Sequence, residues 1–169
     1  MRNSKTSTIT LAAMLVAIEI ILSRFLSVPT PVVKISFSFI PLSMLAALCG
    51  PVYSCAGAAA ADFIGAILFP VGAYFPGYTI TAALTGITYG IFLRGKRSSW
   101  VIITAAVLII NLCWRLGLNS VWVHMTTGKA MMAFMTARIV KTLFTIPIEI
   151  VCVRFAVKKL CPLAEKFIS

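Results

Sequence analysis

Apolar residues come in long runs along this chain, and the breaks between runs fall at proline, glycine and clustered cations. Reading runs and breaks together predicts six helices, at about 8–26, 36–49, 51–69, 78–93, 99–117 and 131–157. The runs lack the strict alternation of an outer-membrane barrel strand, which leaves helices as the spanning elements. The second run is short for a full crossing, and Cys49-Gly50-Pro51 predicts a tight turn into the third. In the sixth, Arg138, Lys141, Thr142, Thr145 and Glu149 recur at helical spacing, so one stripe of that helix is polar. Such a stripe either lines an interior cavity or forms an ion-pair network that fixes helix register.

Composition sets the solvent. Of 169 residues, 60% are apolar and 11% charged, with a mean hydropathy of +1.03, which excludes a soluble globule. A helix crosses a hydrocarbon core of roughly 30 Å in about 20 residues, and in that core every backbone group must pair internally. The expected fold class is therefore an all-α membrane protein, a six-transmembrane-helix bundle forming a single integral membrane domain over residues 1–169. The basic N-terminus precedes an apolar run with no convincing small-residue cleavage site, so a retained first span is expected.

Fifteen Lys and Arg stand against four Asp and Glu. In a soluble protein that surplus would suggest nucleic acid, but in a membrane the cytoplasmic retention of cations accounts for most of it. Arg2, Lys5, Arg94, Lys96, Arg97, Arg154, Lys158, Lys159 and Lys166 fall at one side of the expected spans. Arg24, Lys34, Arg115, Lys129, Arg138 and Lys141 fall at the other. The richer side is expected to be cytoplasmic and to hold both termini. The leaner, outer side has almost no acids beside its cations, which suits an anionic solute as well as it suits snorkelling toward headgroups.

Enzymatic constellations are missing from the sequence. Gly90, Gly95 and Lys96 have the spacing of a phosphate-binding loop, but Arg97 stands where Ser or Thr is needed and no strand precedes it. His124 has no second metal ligand at helical spacing, and the five cysteines lack paired short spacings, so neither a metal nor a cofactor is expected. Ala13 and Ala17 form a small-residue pair on the first helix, with Glu19 facing away from it. Gly57, Ala61 and Gly65, and again Ala82, Gly86 and Gly90, form ladders for close helix approach, within the bundle or against a partner. Asp62 stands alone among small residues and calls for a cation or a donor-rich ligand. Asn111, Trp114, Arg115, Asn119 and Trp122 gather toward the outer end, a set that suits a flat, polar-edged aromatic solute or an interfacial aromatic belt. The connection FPVGAYFPGYT reads as an ordered outer loop, and the helix starting near Tyr78 and Thr79 points its positive end at whatever lies there.

Three stretches, FPVGAYFPGYTITAALTGITYG from Phe69, LGLNSVWVHMTTGKA from Leu116 and ARIVKTLFTIPIE from Ala137, resemble the folate-specific substrate-binding subunits of energy-coupling factor transporters. With Ala13 and Ala17, the resemblance covers nearly the whole chain. The chain departs from that pattern at Ala137, where Pro is expected before the Arg, and at Thr142, where Asn is expected after the Lys. The resemblance implies a bacterial plasma-membrane bundle that binds folate from outside and docks, through the Ala13 and Ala17 face, on a transmembrane coupling subunit powered by two cytoplasmic ATPases. It implies a transport subunit rather than an enzyme. Folate carries a flat pterin and two carboxylates, so Phe75, Tyr78 and Trp122 are expected to stack on it, Asn119 and Asp62 to meet the pterin edge, and Arg24, Lys34, Arg115, Arg138 and Lys141 to meet the carboxylates. A subunit of the same class for another vitamin or pterin is the alternative.

Overall fold

The computed structural model describes residues 4–25, 28–29, 34–70, 74–95, 99–127 and 131–165. Its first helices are α1 (Ser4–Arg24), α2 (Phe39–Cys49), α3 (Pro51–Leu68) and α4 (Pro76–Leu93). A fifth rod runs from α5 (Trp100–Ile109) through a π-helical segment (Ile110–Leu118) into α6 (Asn119–Thr127). The sixth rod runs from α7 (Met131–Phe155) through a π-helical turn (Ala156–Leu160) into α8 (Cys161–Glu165). The fold is thus all-helical with six rods; the only strand pairing among the described residues is a two-residue bridge, Val28–Pro29 with Lys34–Ile35. The fifth rod continues well past the expected end near residue 117. Gly117 does not break it, because the glycine falls inside the wider π segment and leaves the helix running on.

The shortest rod occupies the centre. α2 is apolar all round, buries Phe39, Leu42, Leu45, Ala46 and Ala47, and packs against α1, α3, α4 and α7. Its 11 residues reach only about 16 Å, less than a bilayer core, but a helix sheathed by other helices need not span lipid. Gly50 ends it with φ at 90°, a left-handed conformation that costs glycine little, and Pro51 opens α3 at a position where no backbone donor is lost. The side chain of Arg94 lies across this turn, within 2.9 Å of where a Cβ on Gly50 would stand.

Both glycine ladders pack inside the bundle. Gly86 lies against the Ser54 backbone carbonyl and Gly90 against Pro51, so α3 and α4 meet backbone to backbone, and the Ser54 hydroxyl donates to the Gly86 carbonyl at 2.7 Å. Gly57 faces Val16 and Leu45, and Gly65 faces Arg24. Ala13 and Ala17 are exposed, whereas Leu15 and Glu19 on the same helix are buried.

The outer surface is apolar. Val52 and Val101 are each 77% exposed, Leu143 71% and Phe144 70%, values that fit lipid rather than water around the bundle. Among the described residues, three helices are long and apolar enough to cross a membrane: Thr6–Arg24, Pro51–Leu68 and Trp100–Thr126. Neither α4 nor α7 has that composition; α4 carries buried threonines and α7 carries Arg138, Lys141, Glu149 and Arg154. On α7 the residues Ile139, Val140, Leu143, Phe144, Ile148 and Val151 face outward. Glu149 is fully buried and Arg138, Lys141 and Thr145 are half-buried, so the polar stripe turns into the bundle.

Candidate functional site

Thr81, Thr85 and Thr88 repeat at helical spacing on the buried face of α4. Each hydroxyl donates to a carbonyl of its own helix: Thr81 to Gly77 at 3.1 Å, Thr85 to Thr81 at 2.8 Å and Thr88 to Leu84 at 2.8 Å. Their lone pairs stay open as acceptors, and two indoles use them. Trp122 Nε1 donates to Thr81 Oγ1 at 3.2 Å, and Trp114 Nε1 donates to Thr88 Oγ1 at 3.0 Å. The fifth rod is thereby pinned to α4 at two depths.

Above the upper pin lies an aromatic wall. The Phe75 ring sits 5.5 Å from Trp122 and 6.2 Å from Tyr78. Gly77 makes this approach possible, since a Cβ there would lie 2.6 Å from both the Phe75 and the Trp122 rings. Phe75, Tyr78 and Trp122, expected from sequence to act together, are therefore one cluster.

A cationic wall faces the fifth rod from α7. Arg138 Nη1 donates to the Ser120 hydroxyl at 3.1 Å, and Ser120 in turn donates to the Leu116 carbonyl. Beside Ser120, the Asn119 side-chain oxygen is buried and accepts no hydrogen bond among the described residues. Lys141, one turn deeper than Arg138, lies within electrostatic reach of Arg138, Arg115 and Glu149.

Arg115 is committed elsewhere. Its Nη1 pairs with Glu149 Oε2 at 2.9 Å; Asn111 Nδ2 donates to the same oxygen at 2.8 Å, and Tyr89 Oη donates to Glu149 Oε1 at 2.7 Å. A fully buried carboxylate with three donors on it is a closed network that ties α4, the π segment and α7 together. Of the two readings its sequence allows, the acid of the α7 stripe forms the ion-pair network that fixes register, while Arg138 and Lys141 stand further toward the start of the helix.

Arg24 and Asp62 form a second cluster on the other side of α4. Asp62 Oδ2 accepts from Thr79 Oγ1 at 2.8 Å, and Thr79 is 3.0 Å from the Tyr74 hydroxyl. Thr79 precedes Thr81 by two residues, roughly 200° round the helix, so Asp62 and Trp122 flank α4 on opposite sides. Arg24 Nη1 donates to the Phe69 carbonyl at 3.2 Å, closing the end of α3, while Phe25 meets Phe69 edge-on at 5.0 Å. Glu19 is buried in the same α1–α3 contact, with no hydrogen bond to its Oε2 among the described residues. Lys34 lies in the two-residue bridge, and its side chain falls outside the described residues, as does Lys129.

Sequence reasoning passed over Thr81, Thr88, Ser120 and Tyr89. The threonine spacing along α4 was the available signal for the first two. Tyr89 gave none, because only the fold brings it to an acid sixty positions away.

A helical membrane bundle with aromatic rings and cations gathered at one end has the build of a transporter's solute-capturing subunit. Residues 7–156 match the family of ECF transporter substrate-specific components, and the chain belongs to that family. The family is a transporter component rather than an enzyme. Among curated proteins, the chain is similar to the "Folate transporter FolT" of Clostridium novyi, at 36% identity over 141 residues that cover 83% of this chain and 82% of that one. It is likewise similar to the "Folate transporter FolT" of Leuconostoc mesenteroides, at 37% over 146 residues covering 83% and 78%. Among solved structures, FolT bound with folic acid superposes with a TM-score of 0.87 at 33% identity, covering 91% of this chain and 94% of that one. The S component for biotin of an ECF-type transporter shares the fold, with a TM-score of 0.70 at 21% identity over 98% and 94% of the two chains.

Proposed function

We propose that this chain is the folate-binding subunit of an ECF-type importer in a bacterial plasma membrane. It captures folate from outside and delivers it inward when docked on a transmembrane coupling subunit driven by two cytoplasmic ATPases. Both termini lie in the cytoplasm, which puts Phe75, Asn119 and Arg138 at the outer mouth. The likeness to folate transporters, one of them solved with folic acid, supports this reading.

The observation that carries the ligand chemistry is the Asn119 oxygen, a buried acceptor without a donor beside a wall of three aromatic rings. A pterin edge offers N–H donors and its flat face offers stacking area, so one solute satisfies both. The glutamate carboxylates then fall to Arg138 and Lys141, with Lys34 as a further candidate. Arg115 sets the floor through Glu149, and Arg24 and Asp62 hold the α1–α3 corner of the mouth. The exposed Ala13 and Ala17 face is the docking surface for the coupling subunit.

Calorimetric titration of the purified chain with folate, pteroate, thiamin and riboflavin tests the reading. Saturable binding of folate is expected, with no saturation by the other two vitamins. A folded sample that fails to bind folate overturns it, and saturation by another vitamin instead moves the chain to that branch of the family. Arg138→Ala should weaken folate about ten- to a hundredfold, the worth of a hydrogen bond to a charged group, and weaken pteroate, which lacks the glutamate, far less. Equal losses would remove Arg138 from the carboxylate role.

A further inference from the structure

At the end of the bundle opposite Phe75 and Arg138, a guanidinium lies flat on an indole: the Arg154 Cζ is 4.0 Å from the centroid of the Trp100 ring. Its Nη1 is buried and has no hydrogen-bond partner among the described residues. Among the described residues no acid is paired with it. Glu149, the nearest along the helix, is saturated by Tyr89, Asn111 and Arg115, and Glu165 lies about three turns further on.

Exposed apolar side chains flank this pair along both helices. Trp100 is 52% exposed, and Val101, Val151 and Phe155 beside the pair are among the most exposed apolar residues of the molecule. Arg154 therefore stands where the lipid-facing surface ends, and a tryptophan at that depth marks the interfacial zone. Directly below comes the π turn Ala156–Leu160, which carries Lys158 and Lys159, both exposed. A π turn takes more residues per revolution than an α turn, and so swings both lysines back toward the face that holds Arg154.

We infer that Arg154, Lys158, Lys159 and Trp100 form a binding site for the anionic phosphodiester headgroup of a membrane phospholipid. The half-buried Arg154 guanidinium, held on the Trp100 ring, and the two exposed lysines supply charge for a phosphate, and the flanking Val151 and Phe155 leave room for acyl chains. A soluble phosphate ester shares the headgroup chemistry but has nothing to lay against those apolar residues. The inference rests on the membrane reading above and is independent of which solute the opposite end binds.

The test is lipid titration of the detergent-purified full chain, read by native mass spectrometry, with size exclusion and circular dichroism as folding checks that need no folate. Phosphatidylglycerol should bind far more tightly than phosphatidylcholine. The variant Arg154→Gln/Lys158→Gln/Lys159→Gln should lose on the order of a hundredfold in that affinity, at about fivefold per cation. A charge-matched control, Arg2→Gln/Lys5→Gln/Lys166→Gln, should leave it unchanged. Should the triple variant fail the folding checks, Trp100→Leu keeps every charge and should weaken phosphatidylglycerol about two- to fivefold by removing the ring under the guanidinium. Equal binding of the two lipids, an equal loss in the control, no effect of Trp100→Leu, or competition by glycerol 3-phosphate at the lipid's own concentration would each overturn the site.

Discussion

Replacing Glu149 by Gln tests whether one carboxylate holds the middle of the bundle together. The amide has the same shape, and its best orientation keeps the oxygen toward Asn111 and Arg115 while its NH2 group donates to a turned Tyr89 hydroxyl. Hydrogen bonds then survive in number, and what disappears is the counter-charge of Arg115, 2.9 Å away. Removing one partner of a buried ion pair costs about 3–5 kcal/mol, and the Arg115 side chain is 32% exposed, which lowers the expectation to about 2–3 kcal/mol. Arg115→Met combined with Glu149→Gln removes both charges together and should return to within about 1 kcal/mol of the parent, because the stranded guanidinium is gone. Unfolding by SDS titration in mixed micelles, followed by circular dichroism, measures all four corners of this cycle. A single Glu149→Gln cost below about 0.5 kcal/mol, or a double variant that falls by the sum of the singles, would refute the network as a coupled unit. Arg115→Met should also leave the ratio of folate to pteroate affinity unchanged, since its guanidinium is spent on Glu149.

Gly86→Ala should cost at least about 1–3 kcal/mol and reduce folded yield on size exclusion, because its new methyl group meets the immovable Ser54 backbone carbonyl. Gly77→Ala presses on two side chains rather than on backbone, so it should lower folate affinity in calorimetry with little change in unfolding midpoint. Trp122→Phe keeps a ring but loses the donor to Thr81, and should weaken folate less than Trp122→Ala does; equal losses would mean that the pin to α4, rather than the ring, matters for binding. Ala17→Leu lies on an exposed face and should leave stability and folate binding intact while abolishing folate uptake in vesicles that contain the coupling subunit and ATPases.

Much of this architecture was legible in one dimension because lipid imposes a simple rule on each segment. The apolar runs marked the rods, and the polar stripe of α7 could be read as inward-facing since every charge on it would otherwise meet hydrocarbon. The two glycine ladders announced close approach, and the fold assigns both to internal contacts. Pairings were harder. Nothing local tells Arg115 to meet Glu149 or Asp62 to meet Thr79, as each pair joins different rods at separations of 34 and 17 residues. Asp62 looked isolated because its partner is a hydroxyl rather than a cation. The threonines of α4 were passed over since each satisfies its own helix first and only then receives an indole.

The π segment Ile110–Leu118 makes the fifth rod sensitive to its residue count as well as to the identities of Asn111 and Arg115. It holds Asn111 and Arg115, which bind the centre, and leads about one turn further along into Asn119 and Trp122. Exchanging one apolar side chain for another within it changes local packing only. A π turn holds one residue more than an α turn, so a single deletion is largely absorbed by tightening, whereas a single insertion after Arg115 finds no such slack and rotates everything beyond it by about 100°. Trp122 would then point away from Thr81 while Arg115 still faced Glu149. For this stretch of the gene, a gained codon is a far graver lesion than a lost one.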